Sequence, residues 1–278
     1  MAKVKVVPMA ICYDFDGTLA PGYMQEYDFI PTLGIEPARF WEESYELAKR
    51  QNGDTILAYM RLMLKKAEEA GVRVTREAFR SFGSKVSFFP GVESWFGRID
   101  EYARAKGVAP SHYIISSGLR EMIEGTRIAK DFAQIYASGF MYDANGAAIW
   151  PALAVNYTTK TQFLFRINKG SPEVYDNSKI NKFVAKDERP MPFANMVYIG
   201  DGETDIPCFR LVKEEGGHSI AVYRPRKAES RAVTERLLKE GRATIAAPAD
   251  YREGSLIDRS VRAIVDKIEA SERIVRRT

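Results

Sequence analysis

The chain has 278 residues, enough for one or two domains of ordinary size and a sizeable core. Apolar residues make up 45% and charged ones 28%, a composition that excludes a disordered tail and a membrane protein. Lysine and arginine number 41 against 37 acidic residues, a net charge of +4, whereas a dedicated nucleic-acid binder concentrates far more basic charge on one face.

The first predicted element covers residues 6–13, a continuous apolar run that reads as a buried strand. The basic residues ahead of it carry no small-residue cleavage site and read as a mature N-terminus. Cys12 and Cys208 are too few for a disulfide framework or a structural zinc site, and no apolar run approaches the roughly 20 residues that cross a bilayer. The expectation is a cytoplasmic protein in a reducing compartment, with no membrane and no nucleic-acid partner. Residues 22–88 show helical patterns alone, at 38–50 and 54–70, and read as a separate helical insert. Within it Ile56, Tyr59, Met60, Met63 and Leu64 fall at helical spacing, as a stripe packing the insert's own core would.

From residue 89 onward strand and helix alternate. Helices are predicted at 92–105, 120–132, 161–169, 206–215, 231–240 and 255–272. Strands are predicted at 112–115, 196–199 and 219–223, with a weaker one at 244–247. This alternation predicts an α/β fold, a doubly wound parallel sheet with helices on both faces. Residues 134–158 depart from it, because Asp143-Ala144-Asn145-Gly146 has the turn chemistry of a hairpin or meander. Residues 170–190 read as an extra surface segment, and the basic end of the chain as a solvated, frayed terminus.

Chemistry concentrates at predicted strand ends. Asp14 and Asp16 follow the first strand, and residues i and i+2 of a strand point the same way, so their carboxylates would crowd together. Such a pair needs a cation or a shared proton. A calcium loop of the EF-hand type fails on Leu19 where glycine is required, on Pro21 inside the loop, and on the strand that precedes it. A helix-capping turn would explain one Asp but not both. A second acidic cluster, Gly200-Asp201-Gly202-Glu203-Thr204-Asp205, also ends a strand. In an open parallel sheet ligands bind beyond the carboxyl ends of the strands, so Asp201 meets Asp14 if their strands are neighbours. Dinucleotide binding is disfavoured there, since Asp205 takes the third glycine position and three acids would repel a pyrophosphate. A third strand ends in Ser116-Ser117-Gly118, which reads as opening a helix at Leu119, a possible phosphate cradle or an ordinary cap. His112 and His218 give no catalytic signal.

Asp14-x-Asp16-Gly17-Thr18, the apolar strand ending in Ser116, and Gly200-Asp201-Gly202-x-x-Asp205, in this order, resemble the motifs of the haloacid dehalogenase superfamily of phosphohydrolases. The insert resembles that family's C1-type cap, and the layout is similar to its phosphoserine phosphatase-like branch. The resemblance implies a Rossmann-like core at 1–21 and 89–278 and a small helical cap at 22–88. It implies a Mg²⁺-dependent phosphatase that hydrolyses a small phosphorylated metabolite through an aspartyl-phosphate. By the same resemblance Asp14 is the nucleophile and Asp16 the general acid/base. Mg²⁺ would be held by Asp14, the main-chain carbonyl of Asp16, and Asp201, with Asp205 in the metal set or orienting a lysine. Ser116 would bind a phosphoryl oxygen, with Thr18, Ser117, Gly118 and Lys160 completing the substrate site. An acid at Asp16 favours phosphoryl chemistry, since members that cleave carbon–halogen bonds lack one there.

For the family's lone lysine, Lys160 opens a better helical pattern while Lys179 lies at a more usual distance from Asp201; Lys160 is the choice. Tyr23, Tyr27, Phe29, Phe40, Trp41 and Tyr45 make the insert aromatic near the first motif. Arg39 and Arg61 are candidates for an anionic substrate tail, and phosphoserine is one substrate suggested by the cap type. A phosphotransferase or phosphomutase would use the same residues, and a non-enzymatic phospho-ligand module is the reading from another class.

Overall fold

The computed structural model describes residues 6–275; the basic start of the chain and the last residues of its basic end lie outside the described residues. Strand β1 (Val7–Tyr13) is followed by a short 3-10 turn and helices α1 (Phe29–Thr32), α2 (Pro37–Gln51), α3 (Thr55–Glu69) and α4 (Arg76–Gly83). Next come α5 (Val92–Ala105), β2 (Val108–Leu119), α6 (Arg120–Glu124) and the hairpin β3 (Gln134–Tyr142) and β4 (Ala148–Leu153). The chain continues through α7 (Lys160–Lys169), α8 (Asn177–Asn181), β5 (Met196–Gly200) and α9 (Ile206–Glu214). It closes with β6 (His218–Tyr223), α10 (Ala228–Lys239), β7 (Ile245–Pro248) and α11 (Leu256–Val275).

The strands lie in the order β4-β3-β2-β1-β5-β6-β7, and every neighbouring pair is parallel except β3 with β4. This is the doubly wound α/β sheet that the alternation predicts. β1 runs between β2 and β5, with Tyr13 level with both Ile114 and Ile199. Its residues are apolar throughout because both faces are covered. Met9, Ile11 and Tyr13 join one buried cluster with α5 and α11, while Ala10 and Cys12 join another with α7 and α9. Tyr13 takes its polar tip into the core by accepting from Trp95 Nε1 at 2.7 Å and meeting His112 Nδ1 at 2.9 Å. His112 is thereby committed to packing, its other ring nitrogen Nε2 lying 3.1 Å from Asp100 Oδ1. Among the described residues no helix is long and apolar enough to cross a membrane.

Two expectations change. The strand predicted at 112–115 runs on to Leu119, so Ser116, Ser117 and Gly118 belong to an irregular strand end and not to a helix start. The helix predicted at 120–132 stops after Glu124, because α4 packs directly on it. A Cβ on Gly125 would lie 2.0 Å from the Arg80 carbonyl oxygen, and one on Gly83 would lie 1.8 Å from that of Met122, so only glycines allow this approach. The helical residues between β1 and α5 are therefore pressed onto the core at α6. Their own ends are conventional: Pro37 opens α2, Asn52 closes it in the left-handed conformation, and Asp54 caps α3.

Candidate active site

Asp14 is the first residue past β1, and its N–H still donates to the Ile199 carbonyl of β5 at 2.9 Å. The pairing that builds the sheet thus carries on to the strand ends and brings Asp14 beside the loop of Asp201. Gly17, at φ +75°, turns the chain there; a Cβ on it would lie 2.0 Å from Asp201 Oδ2. Asp14, Asp201 and Asp205 each present an oxygen within 4.8 Å of the others. The Asp14 Oδ1 accepts the Phe15 N–H at 2.7 Å, and Asp16 Oδ1 accepts that of Met24 at 2.9 Å.

Lys160, the first residue of α7, is completely buried. Its Nζ lies 2.9 Å from Asp14 Oδ2 and 2.7 Å from Asp205 Oδ1. Burial opposes its charge, but the two carboxylates outweigh burial and hold its pKa above the ordinary lysine value. Lys179 sits on α8 with a 68% exposed side chain, 3.9 Å from Asp176. The structure brings Lys160, and not Lys179, to the acids. Asp205 is buried and fully engaged: Oδ1 also accepts from Tyr198 Oη at 2.7 Å, and Oδ2 accepts the N–H groups of Asp201 and Gly202. With four donors already on its oxygens, Asp205 serves the geometry of Lys160 and of the Asp201 loop. That occupancy speaks against the expectation of Asp205 as a direct metal ligand, despite its proximity.

Ser116 is buried at the end of β2, its Oγ accepting the Gly118 N–H at 3.1 Å. Ser117 and Gly118 line the same cavity as Ser116, Asp14, Asp16 and Asp201. Thr18 does not line it. The tight turn through residues 15–20 tucks Thr18 into the core, where its carbonyl accepts from Tyr251 Oη at 3.0 Å and its hydroxyl has no partner. The expectation that Thr18 touches substrate is not met by this placement.

Burial is the largest effect on the acids. It raises the pKa of Asp14 against the pull of Lys160, and raises those of Asp16 and Asp201 well above the usual carboxylate range with added repulsion from neighbouring acids. Lys160 pairs with Asp14 and Asp205 and leaves the charge of the neighbouring Asp16 and Asp201 unmatched, an arrangement that oxygen-seeking divalent cations such as Mg²⁺ satisfy. The donor set therefore fits a hard cation.

The cavity has a volume of about 850 Å³ and opens between the strand ends and the helices inserted after β1. Tyr23, Trp41, Tyr45, Ile56 and Tyr59 form its wall on the insert side. Tyr59 Oη donates to the Ser117 carbonyl at 2.7 Å, tying α3 to the end of β2. Arg39 and Arg61 are exposed and take no part in the lining. Arg224 and Lys227, just past β6, do line it and were missed in the sequence. The signal was available: Arg224 follows the end of another parallel strand, where the same edge rule applies.

A family model described as haloacid dehalogenase-like hydrolase matches residues 11–210. An uncharacterized protein of Borreliella burgdorferi is 30% identical over 274 residues, covering 89% of this chain and 93% of that one. Among solved structures, a phospho-aspartyl intermediate analogue of phosphoserine phosphatase superposes with a TM-score of 0.53 at 17% identity, covering 86% of this chain and 93% of that one. A probable phosphoserine phosphatase from Vibrio cholerae, in unliganded form, gives 0.56 at 15% identity, covering 98% of this chain and 69% of that one. At these identities the two structures speak for the fold.

Proposed function

This chain belongs to the haloacid dehalogenase-like hydrolase family, and from that premise we propose that it is a Mg²⁺-dependent phosphatase acting on a small phosphorylated metabolite. The observation that carries this reading is the meeting of Asp14, Asp16 and Asp201 in an 850 Å³ cavity, with the buried ammonium of Lys160 paired to Asp14 and Asp205. Asp14, Asp201 and the main-chain carbonyl of Asp16 would hold Mg²⁺, which when bound supplies charge neutralisation for a phosphoryl group.

The chain's own residues divide the work by environment. An Asp14 oxygen attacks phosphorus, and the ester P–O bond breaks as the aspartyl-phosphate forms. Asp16, a half-buried carboxyl whose pKa is pushed upward by desolvation and by the neighbouring Asp14, gives a proton to the departing ester oxygen. It then takes a proton from the water that attacks the aspartyl-phosphate, and Asp14 is released with inorganic phosphate. Lys160 and Ser116 hold the nucleophile and a phosphoryl oxygen in place, while Ser117 and Gly118 shape the same pocket. Asp205 positions Lys160. In this reading residues 22–88 act as a cap over a core of 1–21 and 89–278, and exclude water while the ester is cleaved.

The test is turnover of p-nitrophenyl phosphate with Mg²⁺ and with EDTA. Activity is expected with the metal and not with the chelator, and Asp14→Asn is expected to lose at least about 10³-fold in kcat while its circular dichroism stays that of the parent. Full activity in Asp14→Asn removes Asp14 from the chemistry.

A further inference from the structure

Every residue that the inserted helices contribute to the cavity is uncharged, including Tyr23, Gln25, Trp41, Ser44, Tyr45 and Tyr59. Two of these rings are held as a fixed wall: Tyr23 and Trp41 meet at 4.9 Å between centroids, and Trp41 Nε1 donates to Glu26 at 2.8 Å. Apart from the strand-end aspartates, the charged lining residues are Glu203, Arg224 and Lys227. Glu203 is already paired with Arg236. Arg224 and Lys227 have no carboxylate partner among the described residues.

Their loop is built, not loose. The Arg224 N–H donates to Ser230 Oγ at 3.1 Å, the Lys227 N–H donates to the Arg224 carbonyl at 3.2 Å, and Arg226 between them takes the left-handed conformation at φ +66°. This turn sets Arg224 and Lys227 on one rim of the cavity. Arg224 is near enough to the inserted residues for its charge to act on the phenol of Tyr27. A leaving group in this cavity therefore meets the positive charge of Arg224 and Lys227, whereas the two carboxylates nearest its wall outside the aspartate cluster are already engaged, Glu203 with Arg236 and Glu26 with Trp41 Nε1.

We propose that Arg224 and Lys227 form a second anion subsite, so that the substrate is a phosphate monoester bearing a further carboxylate or phosphate. This rests on the phosphatase reading above and narrows it to esters with a second anionic group. Guanidinium and ammonium groups recognise such an anion by charge-assisted hydrogen bonds, the first in a fork and the second as a point charge.

The experiment uses the full chain with Mg²⁺ and three esters of nearly one shape: phenyl phosphate, 4-carboxyphenyl phosphate and 4-(aminomethyl)phenyl phosphate. The expected order of kcat/KM is carboxyl first, unsubstituted second and aminomethyl last, with about tenfold between carboxyl and unsubstituted, mostly in KM. In the Arg224→Ala/Lys227→Ala double variant the carboxyl-to-unsubstituted ratio should collapse toward one, and Arg224→Lys should restore part of it. Comparing variant with parent cancels the difference in leaving-group acidity. If all three esters are hydrolysed within about twofold of one another, or the double variant keeps the parent's ratio, the subsite is wrong and the phosphatase reading stands. If none is hydrolysed, the phosphatase reading fails and the subsite fails with it.

Discussion

Lys160 is the residue on which the charge balance of the site turns. Its ammonium is buried between Asp14 and Asp205, so removing it leaves two buried carboxylates without their counter-charge. Lys160→Ala should lower stability by about 3–5 kcal/mol in urea melts and abolish p-nitrophenyl phosphate turnover. Lys179→Ala, at an exposed pair on α8, should change stability by less than about 0.5 kcal/mol and leave turnover intact. The opposite pattern would transfer the role to Lys179. Local pattern already pointed to Lys160, since it opens the better helix. Its long separation from Asp201 has a physical cause: α8 and its flanking turns are an addition on the surface. Arg166 holds that addition through the carbonyls of Glu173, Val174 and Asp176, while Tyr175 and Phe183 stay exposed. Such a segment lengthens the chain between α7 and β5 without moving either end.

At the scale of elements, α3 is held at both faces of the cavity. Asp54 caps it by accepting the N–H groups of Ile56 and Leu57, and its other oxygen accepts from Asn156 Nδ2 at 2.8 Å, in the loop that leads to α7. Tyr59, one turn on, reaches the end of β2. Asp54→Ala should therefore cost about 1–2 kcal/mol in thermal unfolding, the upper part of the range for a lost cap, because the Asn156 contact goes with it. Asn156→Ala should reproduce a fraction of that loss; no change in either variant would show that the helix needs neither tie. Elements with a plain period were legible: β1, α5, α9 and α11 lie close to where the sequence places them. The 120–132 region was not. Its sequence carries a helical pattern, but the backbone of α4 occupies the space at Gly125, and no local propensity encodes a neighbour nearly fifty residues earlier.

For the whole molecule, the acids crowded at the sheet edge repel one another, and a bound cation would relieve that repulsion. The site exists only in the folded chain, so Mg²⁺ held there would add stability as its concentration exceeds the dissociation constant, by about 2.7 kcal/mol at a hundredfold excess. The melting temperature should rise with Mg²⁺, fall back with EDTA, and become insensitive to the metal in Asp201→Asn. A melting temperature indifferent to Mg²⁺ in the parent chain would argue that the aspartates bind no such ion.

From the order of residues alone came the α/β class, the helical insertion after β1, and the three strand ends that carry Asp14, Ser116 and Asp201, because periodicity and short motifs are local properties of a chain. Strand neighbours are not local. That β1 lies between β2 and β5 was decided by the sheet, and with it the meeting of Asp14 and Asp201. The burial of Thr18, the four donors that occupy Asp205, and the arrival of Arg224 and Lys227 at the cavity likewise depend on which backbone packs beside which. Side-chain types and spacing say which groups can do chemistry; only the packed sheet sets the distances at which they act.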